Sequence, residues 1–159
     1  MQMPKPGKFH DKLSAFAGDW SGDETIHPTP WDPAGGTAKG AMKARIDCDG
    51  FILVQDYTQK RGGKVSYRGH GVLGYCAKEQ RYLWHWSDTM GGAPGQVTRG
   101  DWKGNKLSFQ HGGDMGHSRY VYTFNKDGSL GFTIENSQDG TQWAPFITAK
   151  YINKKKTLA

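Results

Sequence analysis

The chain has 159 residues, with 21 Lys and Arg against 15 Asp and Glu, a formal charge of +6. That length suits one domain. Leu, Ile, Val and Phe total only 25, below the roughly 20% of residues usual in globular chains. The rings compensate: Phe, Tyr and Trp number 7, 7 and 6, and each buries about 150–250 Å². The 23 glycines are scattered rather than tandem, which excludes collagen-like, coiled-coil and low-complexity chains.

In chain order, residues 9–17 read as a helix with Leu13 and Phe16 on one side and a stop at Gly18. A Pro-rich loop over 28–39 follows the first strand; its three prolines stiffen it, so that Trp31 either covers a barrel mouth or packs on the wall. Turn pairs then recur at Asp49-Gly50, Gly62-Gly63, Lys78-Glu79, Gly104-Asn105, Gly112-Gly113, Asp127-Gly128 and Asp139-Gly140, with a glycine-rich loop over 89–95. Such residues supply the backbone conformations that hairpin turns need. The segments between them alternate with period two, predicting strands over 18–27, 40–48, 51–60, 64–76, 81–88, 96–103, 106–111, 118–125, 129–137 and 141–153. The expected fold is all-β: a closed antiparallel up-and-down barrel of about ten strands with one short N-terminal helix, since closure removes exposed edges. Residues 1–159 form one domain in this reading, with flexible tails over 1–8 and 154–159.

Hairpin registers predict which side faces inward. A four-residue loop over Ala77–Gln80 sets Tyr75 against Tyr82, Leu73 against Trp84, Gly71 against Trp86 and Gly69 against Asp88, small against large as barrel interiors use. Carried onward, the same face takes Ile52, Val54, Asp56 and Thr58, then Thr98, Gly100, Trp102, Leu107, Phe109 and His111. It continues with Arg119, Val121, Thr123, Leu130, Phe132 and Ile134. A slip of one residue inverts a strand.

Asp56, Asp88, His111 and Arg119 are charged or titratable on a largely apolar face, and such groups need a partner or a ligand. One reading is an internal ion-pair network in a filled barrel. The other is a polar anchor in a cavity, since barrels of this size enclose a small ligand. The expected ligand site comprises Asp56, Tyr67, Trp84, Trp86, Asp88, Trp102, His111 and Arg119. In it Arg119 and His111 orient a polar or anionic group, and Trp84, Trp86 and Trp102 line the apolar part. An enzyme of hydrolase or isomerase type would use Asp56 and Asp88 with Arg119. An interaction protein would present Phe51, Tyr57, Tyr120 and Tyr122 on the outer face as a partner or homodimer surface.

Other motifs carry little. Gly69-His-Gly-Val-Leu-Gly74 matches the dinucleotide-binding letters but lies between strands, with no helix after it. The six histidines form no H-x-H, H-E-x-x-H or Cys–His cluster, so no metal is expected; His70 and His85 stand diagonal on the outer face. Cys48 and Cys76 are expected reduced and buried. No apolar run reaches membrane-span or signal-peptide length. The basic residues lack interleaved aromatics, and Lys154-Lys155-Lys156 reads as a solvated tail. The expectation is a cytoplasmic protein that binds neither nucleic acid nor membrane.

Gly18-Asp19-Trp20, opening the first strand after a short helix, resembles the G-x-W signature of calycins, the lipocalins and their relatives. That likeness implies a tryptophan plugging one barrel end beneath a basic side chain of the last strand, here Lys150 or Lys154. Several longer stretches resemble a bacterial family of unknown function with a lipocalin-like barrel. They are Gly18–Gly22, Ile26–Gly36, Asp49–Phe51, Gln55–Tyr57, Arg68–Gly71 and Trp86–Asp88. This resemblance implies a barrel and bacterial origin, and no activity. Nitrobindin, ten-stranded and haem-binding, is similar in architecture; a haem here would need His111 or His85 as axial ligand, and otherwise no cofactor is expected.

Overall fold

The computed structural model describes residues 1–91 and 96–154; residues 92–95 of the glycine-rich loop and 155–159 of the lysine tail lie outside the described residues. The chain opens with α1 (Lys8–Asp11) and a 3-10 turn (Lys12–Phe16). Ten strands follow: β1 (Gly18–Ile26), β2 (Gly36–Asp47), β3 (Ile52–Arg61), β4 (Lys64–Cys76), β5 (Arg81–Asp88), β6 (Val97–Lys103), β7 (Lys106–Gly113), β8 (Gly116–Phe124), β9 (Leu130–Ser137) and β10 (Ala144–Asn153). Each strand pairs with its chain neighbours, and β1 also pairs with β10, so the sheet closes into a barrel.

The single helix expected over 9–17 is instead one α-turn continued as a 3-10 turn. The three-residue period of that turn sets Leu13 and Phe16 one above the other, and both are fully buried. They plug one end of the barrel, and the Trp20 indole Nε1 donates to the Phe16 carbonyl at 2.7 Å, fastening the plug to β1. Burying two such side chains is worth about 1.5–3 kcal/mol each. The plugged half is closely packed: Leu53, Leu73, Leu107, Phe109 and Leu130 join Trp20 in a continuous buried cluster. Lys150 does not cover Trp20; it pairs with Asp127 at 3.3 Å on the outside.

β2 begins at Gly36, four residues before the predicted start, because Gly36 already pairs with Ile26. From there β2 alternates buried Ala38, Gly40, Met42 and Ala44 with exposed Lys39, Ala41, Lys43 and Arg45. The β4–β5 register is as predicted, with Tyr75 on Tyr82, Leu73 on Trp84, Gly71 on Trp86 and Gly69 on Asp88. Facing survives the loop after β5 as well, since Trp84 pairs with Thr98 and Trp102 with Leu107.

Two strands are inverted relative to expectation. In the β3–β4 hairpin the register shifts by one beyond Gln59. Ser66 is the extra residue, and its hydroxyl bonds the Gln59 carbonyl at 3.3 Å and the side chain at 3.2 Å. This bulge turns Leu53, Gln55, Tyr57 and Gln59 inward, and sends Ile52, Val54, Asp56 and Thr58 outward. In the β8–β9 hairpin Phe124 pairs with Leu130, so the connection holds five residues rather than a two-residue Asp127-Gly128 turn. There Asn125 N donates to the Ser129 carbonyl, and Asp127 Oδ1 accepts from both the Ser129 N and hydroxyl. The result points Ser118, Tyr120, Tyr122 and Phe124 inward and Arg119, Val121 and Thr123 outward.

Neither cysteine is buried: Cys48 is exposed and Cys76 half-buried, both as free thiols. Cys48 sits in the short turn between β2 and β3 with φ +49°, where its side chain has no core to enter. Among the described residues no helix is long and apolar enough to cross a membrane.

Candidate functional site

The two halves of the barrel differ. Near the plug, Trp20, Leu53, Leu73, Leu107 and Leu130 are sealed, and Tyr75, Trp102 and Phe124 at that end are half-buried. At the opposite end Tyr57, Tyr67, Trp86, Asp88, Ser118, Tyr120, Phe132 and Ile134 also point inward, yet all stay half-buried. Aromatic faces and hydroxyls are therefore reachable from this end.

Asp88, at the end of β5, organises the mouth. Its Oδ2 accepts from the Tyr67 hydroxyl at 2.7 Å and from Trp86 Nε1 at 3.1 Å, while Oδ1 accepts from Met90 N at 2.9 Å. The Tyr67 oxygen in turn accepts from Trp86 Nε1 at 2.8 Å. Burial, and then the bond to Asp88, pushes the Tyr67 hydroxyl well above the ordinary phenol range. Tyr120 is raised by burial too, with the Asp88 charge contributing. Trp86 lies over Gly69, where an added Cβ would stand 1.9 Å from the indole Cζ2. The ring is thereby held between a glycine floor and two hydrogen bonds. Tyr57 completes the wall, its ring 5.9 Å from Tyr67 and 6.4 Å from Trp86.

Below the mouth lies a second polar group that the sequence reading missed. Glu24 is 1% exposed and accepts from the Tyr57 hydroxyl at 2.6 Å, Gln59 Nε2 at 2.9 Å and the Tyr151 hydroxyl. Burial first, and the Glu24 charge second, raise both tyrosines far above their ordinary values. Gln55, fully buried, accepts from Trp84 Nε1 at 3.0 Å and reaches the Tyr122 hydroxyl at 3.4 Å. The signal for Glu24 was available: Trp20, Gly22, Glu24 and Ile26 alternate on β1, so an inward Trp20 carries Glu24 inward with it.

Of the expected site residues, Tyr67, Trp86 and Asp88 come together. Trp84 faces inward but is buried against Phe109 and Tyr120. Trp102 is inward at the plugged end, stacked on Phe124 at 4.9 Å, away from the others. His111 stands exposed at the rim with Nε2 3.3 Å from the Tyr120 hydroxyl. Asp56 and Arg119 are outside, contrary to expectation, because of the two register shifts. Asp56 bonds His70 Nδ1 at 2.7 Å, and Arg119 pairs with Glu135 at 3.1 Å and lies 4.2 Å over the Trp143 ring. The same inversion brings Tyr57, Tyr120 and Tyr122 inside, removing three of the four aromatics expected on an outer partner surface; Phe51, half-buried, packs on His10.

Several readings fall with these placements. Asp56, Asp88 and Arg119 share no cavity, so the acid–base pair has no geometry. The ion pairs Lys39–Asp23, Arg45–Asp56, Arg81–Asp101, Arg99–Glu79 and Arg119–Glu135 involve outward residues, which is not an internal network. For a haem, His85 is exposed between Val72 and Val97 on the outer face. Beneath His111, Trp84 packs on Trp86, Phe109 and Tyr120. These residues do not fit a haem held inside. The three glycines of Gly69–Gly74 lie within β4. Among the described residues no three His, Cys, Asp or Glu gather as metal ligands. Trp31 is 65% exposed and stacks on Phe146 of β10 at 5.8 Å, on the wall.

Two surface grooves lie elsewhere. One of about 480 Å³ runs beside the plug along Phe9, Lys12, Tyr75, Tyr82 and Trp102. Its groups already engage one another: Phe9 stacks on Tyr75 at 4.7 Å, and the Tyr82 hydroxyl donates to the Phe9 carbonyl at 2.6 Å. The other, about 600 Å³, lies on the outer face of β1–β3. Neither includes the residues at the mouth.

The architecture is that of a closed ten-stranded antiparallel barrel with one end plugged and polar, aromatic side chains reachable at the other. The chain belongs to the family described as "protein of unknown function (DUF1579)", whose sequence pattern matches residues 5–153. Its fold is similar to that in the crystal structure of Rv2717c from M. tuberculosis, with 12% identity and a TM-score of 0.69 over 93% of this chain and 98% of that one. No curated protein matches it.

Proposed function

We propose that the protein is a lipocalin-like carrier of the bacterial cytoplasm that holds a small, partly apolar ligand in the open half of its barrel. One observation carries this reading. At the end away from the plug, half-buried Trp86, Tyr67 and Asp88 form one hydrogen-bonded group beside the half-buried rings of Tyr57 and Tyr120. Pocket sites of this kind combine aromatic walls with a few placed polar groups. Free thiols, one of them exposed, support a reducing compartment.

Titration with the neutral dye Nile red tests the reading. Binding to one site per chain is expected, together with its loss in Ile134→Trp, which fills the inward face opposite Tyr120. Undiminished binding in that variant would place the dye on an outer groove and overturn the assignment. Native mass spectrometry of freshly purified protein gives a second readout, a retained mass above that of the chain.

A further inference from the structure

Among the described residues the registers put Lys or Arg on an inward row only at the tip of the β3–β4 hairpin, where Lys64 is exposed and Arg61 is taken up by Asp32 at 3.4 Å and the Gly35 carbonyl at 3.2 Å. Beyond that tip the inward rows hold two acids, Glu24 and Asp88, and no Lys or Arg among the described residues. We infer that the mouth selects an organic cation: a protonated or quaternary amine on a partly apolar body. This rests on the reading of the open half as a ligand site.

The two carboxyl groups differ in what they offer. Glu24 already receives three donors and is buried beneath Tyr57, so its part is structural. Asp88 receives three donors on four acceptor positions, and it is only half-buried. That leaves one acceptor position for a ligand. Around it stand the rings of Tyr57, Tyr67 and Trp86, and a cation over such faces gains about 0.5–2 kcal/mol, more as water is excluded. A carboxylate ligand in the same place meets the Asp88 charge, while the inward-row Arg61 is already paired with Asp32. The +6 exterior does not reverse this preference, because exposed charges more than about 8 Å away are largely screened at physiological ionic strength.

The test uses three ligands with one body: phenylpropylamine, phenylpropanol and phenylpropionate, each titrated calorimetrically into the full chain. The amine is expected to bind about tenfold tighter than the alcohol, and the carboxylate weakest of the three. Asp88→Asn, which keeps the shape of the side chain, is expected to erase the amine's advantage, bringing amine and alcohol within about twofold of one another. The wild-type ranking decides even where the variant folds poorly. Carboxylate binding equal to or tighter than amine binding overturns the charge assignment and leaves the ligand site standing. Absence of binding by all three, in a chain that also ignores Nile red, overturns the ligand site itself.

Discussion

Glu24 enters the barrel from β1 with three donors converging on it from β3 and β10. Room for its carboxyl group comes from Gly40, where a Cβ would stand 2.3 Å from Glu24 Oε2. A buried acceptor of this kind is worth little as a net gain on folding, but its partners are costly to abandon. Glu24→Ala strands two hydroxyls and an amide in a dry interior and is expected to lower unfolding free energy by about 3–5 kcal/mol. Glu24→Gln keeps one oxygen, and a tyrosine hydroxyl turns to accept from the new amide, so its cost is about 1–2 kcal/mol. Urea unfolding followed by tryptophan fluorescence measures both. Equal losses for the two substitutions would show that packing, not hydrogen bonding, is what Glu24 supplies.

At the level of strands and turns, the glycines of β4 show how a motif by letters separates into three physical roles. Gly69 sits under Trp86, and an added methyl would meet the indole at 1.9 Å. Trp86 cannot withdraw without breaking its bonds to Tyr67 and Asp88. Gly71 is crowded by Gln55, Trp84 and Trp86, whereas at Gly74 the nearest atoms stand at 3.6 Å, ordinary contact. Gly69→Ala is therefore expected to cost about 1–3 kcal/mol and to shift the Trp86 emission. Gly74→Ala should be neutral, or stabilising by up to about 1 kcal/mol through the unfolded chain. Thermal melts of the two variants side by side check this; a Gly74→Ala melting point as low as that of Gly69→Ala would refute the distinction. The same hairpins mark what a reader of the sequence could see. Strand number, strand limits within a few residues and the β4–β5 register follow from alternation and turn residues. The faces of β3 and β8 do not, because each depends on one residue: Ser66, inserted in the β3–β4 ladder, and the lengthened turn built on Asp127. Asp56 and Arg119 left the site for that reason, and Tyr57 and Tyr120 entered it.

Across the whole molecule, closure leaves the interior rich in hydrogen-bonded tyrosine hydroxyls, and this sets the alkaline limit. Tyr57, Tyr67, Tyr82, Tyr120, Tyr122 and Tyr151 all have raised pKa values, with burial the leading cause in each case; Tyr82 is pushed up to about 12 and the others are raised as well. These six are among seven tyrosines in the chain. A phenol that keeps its proton when folded and loses it near pH 10 when unfolded contributes stability that is complete below about pH 10 and declines above it. For the buried Tyr122 and Tyr151 the decline is up to about 1.4 kcal/mol per pH unit each, against a typical total of about 5–15 kcal/mol. The barrel is then expected to hold through pH 10 and to unfold cooperatively some two units higher. Phenolate absorbance should appear in step with the loss of near-ultraviolet circular dichroism. Gradual phenolate absorbance from all the tyrosines centred near pH 10, with the dichroism intact, would mean that solvent also reaches the buried Tyr122 and Tyr151 hydroxyls and that the core around them is not the closed, hydrogen-bonded one described.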